Sequence, residues 1–184
     1  MAKEKIIMDV DPGIDDSLAI LLALKSGDFD IKGLTVVSGN IEVNQATQNC
    51  LKAVQMAGRD DVKVYKGMAL PLEKEYVDAT DTHGIDGIGE NFFKDIYLKA
   101  ESEHAVDFIL DTIRANENEI TILALGPLTN IAMAIEKDPE TMKKVKKIII
   151  MGGAAEFHGN CSPVAEYNFW VDPHAAKRDR KSVV

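Results

Sequence analysis

Along the chain, short β-branched runs alternate with longer amphipathic stretches. Ile6-Ile7-Met8 followed by Val10 reads as a buried strand ending at Asp11, where Pro12-Gly13 breaks it. Ser17 to Leu24 is too long and too rich in Leu and Ala for a strand, and reads as a buried helix stopped by Gly27. Leu34 to Val37 reads as a second strand, Val43 to Met56 as a helix ended by Gly58, and Val62 to Tyr65 as a weaker third strand. Ala105 to Ala115 places Val106, Ile109, Leu110 and Ile113 on one helical face. Ile120 to Leu123, Asn130 to Glu136 and Ile148 to Ile150 then read as strand, helix and strand. This order predicts an α/β fold: an open, mostly parallel sheet with helices on both faces, wound in right-handed βαβ units. Met68 to Asn91 reads as a long loop carrying Pro71, His83, Gly84, Gly87 and Gly89. It is either a functional lid or a plain surface excursion.

Length changes this picture little. The 184 residues suit one compact domain, and the 46% hydrophobic share suits a packed core. We place that domain at residues 1–176. Asp172-Pro173 is a good helix start, but Lys177 to Lys181 is a run of five charges with no apolar face. Residues 177–184 are therefore expected to form a disordered charged tail. Cys50 and Cys161 show no pairing pattern, and no signal-like segment opens the chain, so a reducing, cytoplasmic setting is expected. No apolar run approaches the length of a membrane span. The net charge of −9 disfavours nucleic acid and anionic membranes as partners, but not a small uncharged ligand or a cation.

In parallel α/β sheets ligands bind beyond the carboxyl ends of the strands. Those ends read Asp11-Pro12-Gly13-Ile14-Asp15-Asp16, Ser38-Gly39-Asn40, Leu125-Gly126-Pro127-Leu128-Thr129-Asn130 and Met151-Gly152-Gly153. Asp9 is read as facing away from its strand's end, whereas Asp11, Asp15 and Asp16 can converge where strand turns into helix. Two carboxylates about 5 Å apart repel by roughly 3 kcal/mol at an effective dielectric near 20. A helix N-terminus offsets only about 0.3–1 kcal/mol per acid. If buried, the group needs a proton or a cation. The oxygen-rich surroundings favour Ca²⁺ or Mg²⁺ over zinc, and a Leu125 carbonyl freed by Gly126-Pro127 would tilt the choice to Ca²⁺. Taken alone, Asp15-Asp16 is explained as well by helix capping with exposed acids.

The segment Asp9-Val-Asp11-Pro-Gly-Ile-Asp15-Asp16 resembles the N-terminal signature of the inosine–uridine-preferring nucleoside hydrolase family. Gly39-Asn40, His83-Gly84, Leu125 to Asn130, Met151-Gly152-Gly153 and Gly159-Asn160 leading to Ala165-Glu166-Tyr167-Asn168 follow in the same order. The resemblance implies Ca²⁺-dependent hydrolysis of the N-glycosidic bond of ribonucleosides, giving free base and ribose. It implies that Asp11, Asp16 and the Leu125 carbonyl hold Ca²⁺, and that Asp11 is also the general base. It further implies that Asp15, Asn40, Asn160, Glu166 and Asn168 grip the ribose hydroxyls, with Met151 beneath the sugar and His83 near the reacting centre. Plainer readings exist: Asn40 as a turn residue, Asn130 as a helix N-terminal residue, Met151 as core and His83 as an exposed loop residue. Glu166 and Asn168 would face the same way in an extended segment.

Family members continue well beyond Asp172-Pro173, so the chain reads as a truncated, N-terminal form that lacks the family's later His and Asp. A sheet without its later strands would leave an edge or an apolar face open, from which a homo-oligomer, dimer or tetramer, is expected. One alternative is a weak or inactive ribose- or nucleoside-binding remnant. A more distant one is a Mg²⁺-dependent phosphotransferase using Asp9 as nucleophile with Asp11. Base preference is not legible in these residues.

Overall fold

The computed structural model describes residues 2–182. Five parallel strands form one sheet: β1 (Glu4–Val10), β2 (Phe29–Val36), β3 (Val64–Lys66), β4 (Ile120–Ala124) and β5 (Lys147–Ile150), in the order β3-β2-β1-β4-β5. Alternation along β1 builds two cores. Ile6, Met8 and Val10 join the cluster under α1 (Ile14–Ser26) and α2 (Val43–Ala57). Ile7 faces the other way, into the cluster under α4 (Ala105–Ala115), α5 (Thr129–Lys137) and α8 (Pro173–Ser182). Short helices α3 (Thr80–His83), α6 (Pro139–Met142) and α7 (Tyr167–Val171) complete the chain. None of these three was expected from the sequence, since four or five residues show no periodicity.

The strand order reverses between β1 and β4, which places the topological switch point, and hence the crevice for a ligand, beyond Val10 and Ala124. The α/β expectation therefore holds, and α4 has the bounds read from its periodicity.

Two expectations need correction. Helix α1 is not buried throughout: Leu18 is 63% and Leu22 is 73% exposed, while Asp16, Ile20, Ala23 and Leu24 form the covered stripe. A helix lying on a sheet seals one face, and a Leu/Ala run conceals which face that is. The charged run from Lys177 is helical through Ser182 rather than a disordered tail. Its spacing explains this, because Ala175, Ala176 and Asp179 share one face and are buried, while Arg178 turns outward to Glu136 at 2.5 Å. Val183 and Val184, also assigned to that tail, lie outside the described residues.

Candidate active site

The chain leaves β1 at Asp11 and enters α1 three residues later, so Asp11, Asp15 and Asp16 crowd one turn. Asp11 is fully buried, Asp16 nearly so, and Asp15 sits at the rim. Asn40, just past β2, bridges the pair: its backbone N–H donates to Asp11 Oδ2 at 2.7 Å, and its Nδ2 lies 3.2 Å from the Asp11 carbonyl and 3.4 Å from Asp16 Oδ2. Asp11 Oδ1 and Asp16 Oδ1 are buried with no hydrogen-bond partner. Burial, and then the charge of Asp16, hold the Asp11 carboxyl well above its ordinary value. Burial, and then Asp15, push Asp16 up to about 7. The loops approach this closely only because they carry glycine. A Cβ on Gly39 would lie 2.0 Å from Asp11 Oδ2, and one on Gly126 would lie 2.8 Å from Asp11 Oδ1.

A cleft of about 390 Å³ opens over the pair. Asp15, Asp16, Asn40, His83, Leu125, Met151, Asn160, Glu166 and Asn168 all line it, and Asp11 abuts it through Asn40. The structure thus brings together every residue proposed from the sequence. Their local partners refine the plainer readings. Met151 is half exposed at the cleft, not core. His83 Nδ1 accepts the Ile14 N–H at 3.2 Å, capping α1, so its other ring nitrogen carries the proton in the neutral form.

Glu166 and Asn168 do not belong to an extended segment. Glu166 caps α7, its carboxylate accepting the N–H groups of Asn168 and Phe169 and that of Gly153. Asn168 Nδ2 ties two strand ends together, donating to the Leu125 carbonyl at 2.6 Å and the Met151 carbonyl at 3.1 Å. Asn160 Oδ1 accepts the Tyr167 N–H at 2.8 Å. The long loop is a wall of the cleft, contributing Asp78, Ala79, Asp81, Thr82 and His83. It is fastened by Ser38 N–H to the Met68 carbonyl and by Leu72 N–H to Asp172 Oδ2.

Sequence reasoning missed Tyr167, Trp170 and Cys161, which also line the cleft. It underrated Asn130, whose Nδ2 donates to Asp9 Oδ1 at 2.8 Å and whose Oδ1 accepts the Met68 N–H at 2.9 Å. The buried location of Asn130 beside a buried acid is a tertiary fact; only its place after Gly126-Pro127 hinted at it.

The donor set suits a hard cation. Every candidate ligand is an oxygen, Asp11 and Asp16 each carry an orphaned carboxylate oxygen, and the charge of Asp16 bears on Asp11. Among the described residues no group of three or more His, Cys, Asp or Glu side chains is arranged to hold a metal ion. The fit is therefore to a two-carboxylate site whose further oxygens are a backbone carbonyl, water or ligand. Leu125 O already accepts from Asn168 but keeps a second lone pair.

A parallel α/β sheet with an acid pair at its switch point, roofed by amides, defines the class, and sequence comparison then identifies the family. The model of the inosine-uridine preferring nucleoside hydrolase family matches residues 6–179, and the chain belongs to that family. Uridine nucleosidase 1 of Arabidopsis thaliana is 44% identical over 174 residues, 94% of this chain and 52% of its own length. Among solved structures, the plant nucleoside hydrolase PpNRh1 aligns with TM-score 0.94 at 42% identity, covering 98% of this chain and 57% of that one. A purine-preferring ribonucleoside hydrolase from Gardnerella vaginalis aligns with TM-score 0.92 at 38% identity, covering 97% and 58%. The chain thus spans about half the length of the relatives it matches.

Proposed function

We propose that this chain binds a ribonucleoside and Ca²⁺ in the described cleft and hydrolyses the N-glycosidic bond, releasing base and ribose. The observation that carries the reading is the pair of buried, unpartnered carboxylate oxygens on Asp11 and Asp16, opening on a cleft lined with amides. Asp11, Asp16 and the Leu125 carbonyl would hold the ion, which when bound neutralises the acid pair and makes an adjacent water more acidic. Asp11 supplies the base: its unpaired Oδ1 would accept a proton from the attacking water. Asn168 Oδ1 and Asn160 Nδ2 make no hydrogen bond among the described residues, which leaves them for sugar hydroxyls. The surrounding negative charge favours an oxocarbenium-like transition state. Its relatives include both a uridine nucleosidase and a purine-preferring hydrolase, so the proposal is for ribonucleosides as a class. We place the protein in the cytoplasm as a homo-oligomer.

A second reading is a nucleoside-binding protein with little turnover, which the same amide-lined cleft would serve. The phosphotransferase reading loses its nucleophile, because Asp9 is fully enclosed by Thr35 and Asn130 and does not line the cleft. Chromatography of inosine and uridine incubated with the protein and Ca²⁺, alongside calorimetry of Ca²⁺ and nucleoside binding, tests the proposal. Base release that stops in Asp11→Ala is expected. Binding without release selects the second reading, and absence of Ca²⁺ uptake overturns both.

A further inference from the structure

Among the described residues the one hydrogen bond to the Asp11 carboxylate comes from the N–H of Asn40, and that N–H belongs to the peptide whose carbonyl is Gly39. Two phenol hydroxyls converge on this carbonyl: Tyr76 Oη at 3.0 Å and Tyr167 Oη at 2.7 Å. The peptide is trans, so its C=O and N–H point in opposite directions. Holding the oxygen from one side aims the N–H at Asp11 on the other. We propose that Tyr76 and Tyr167 are positioning residues that clamp the Gly39–Asn40 peptide and so fix the carboxylate of Asp11.

Three further observations support the clamp. Both hydroxyls keep their protons, since burial, followed by nearby acids, holds each phenol above its ordinary value. Each can therefore donate, and one carbonyl oxygen has two lone pairs to receive them. Tyr167 Oη also lies 3.0 Å from the Val77 carbonyl, so its single proton is shared between the loop and the Gly39 turn. The loop segment is itself seated on α7, with Lys74 Nζ donating to the Trp170 carbonyl at 2.5 Å and lying over the Trp170 ring. Donors on the carbonyl also polarise the peptide and strengthen its N–H as a donor. Among the described residues neither hydroxyl hydrogen-bonds Asp11; the hydrogen-bonded route to it runs through the peptide.

This inference rests on the acid pair being the metal site, but its primary test does not. In Tyr76→Phe, Tyr167→Phe and the double variant, the rings remain and only the hydroxyls go. The ¹H–¹⁵N signal of the Asn40 amide in metal-free protein should move upfield and exchange faster, most in the double variant. The thermal midpoint in EDTA should change much less than the signal does. Calorimetric Ca²⁺ affinity should fall about 10-fold in the double variant, the usual range for an outer-shell partner being about 10–100-fold. An Asn40 signal unchanged in the double variant overturns the clamp. Should the double variant fail to fold, an unchanged Asn40 signal in both single variants overturns it equally. A parent protein that takes up no Ca²⁺ defeats the metal reading, while the amide signal still decides the clamp.

Discussion

Asp9 and Asp11 leave the same strand two residues apart, both fully buried, and yet they live in different chemical worlds. Around Asp9 the protein offers donors: Thr35 Oγ1 at 2.6 Å and Asn130 Nδ2 at 2.8 Å share its Oδ1, and no acid lies among the causes of its shift. Burial still pushes it up to about 6. Around Asp11 the protein offers one backbone N–H and two more carboxylates. The first acid ties strands β1 and β2 to helix α5; the second has, among the described residues, a backbone N–H on Oδ2 and no hydrogen bond on Oδ1. Asp9 too keeps one buried oxygen, Oδ2, without a hydrogen bond, so what separates the two acids is their neighbours: hydrogen-bonding side chains and no acid beside Asp9, two further acids and the cleft beside Asp11.

The sharpest break of this comparison is in turnover. Asp11→Asn should lower base release by about 10²–10⁴-fold, the usual worth of a general base, while its melting point in EDTA stays at or above that of the parent. Asp9→Ala should do the reverse in kind. It strands the Thr35 and Asn130 donors and leaves a void, costing about 2–4 kcal/mol in urea unfolding, to the same extent with Ca²⁺ as without. Next in size is the metal itself. Calcium at about 100 times its Kd should add about 2.7 kcal/mol to the parent, and this gain should vanish in Asp16→Asn but persist in a folded Asp9→Asn.

A further effect is in pH. Asp16 at about 7 and Asp9 at about 6 stand above the ordinary 3.8, so each binds its proton more tightly folded than unfolded. Stability in EDTA should therefore rise as pH falls from 8 through those values, and level off near 4 when the unfolded chain protonates too. Urea midpoints across that range check it; a flat profile would mean that the two acids are better solvated than their burial implies.

Much of this was legible from the chain. Ile120 to Leu123 and Ile148 to Ile150 announce strands because buried parallel strands are continuously apolar, and Val106, Ile109, Leu110 and Ile113 announce a helix by spacing alone. The acid turn and its Gly-rich neighbours announce the cleft, since strand ends are where such loops must meet. What stayed hidden depends on distance in space rather than in sequence. Glu166 looked like a sugar ligand in an extended run, but its carboxylate is spent first on the N–H groups that open α7. Tyr76 and Tyr167 stand 91 positions apart, and nothing in either neighbourhood says that they share one carbonyl. Asp179 looked solvated amid its cationic neighbours until α5 supplied a surface for its face of the helix.

Because Asp11, Asn40, Leu125 and Met151 follow four different strands, the spacing of the cleft is inherited from the register of the sheet. Deleting one residue within β4 would draw Leu125 back by about 3.3 Å and turn the side chains that follow the gap on that strand to the opposite face. Insertions among residues 154–158, beyond the paired strands, carry no such penalty. Length changes should therefore be tolerated in the outer loops and rejected within the strands, leaving the rim free to diversify around a fixed acid floor.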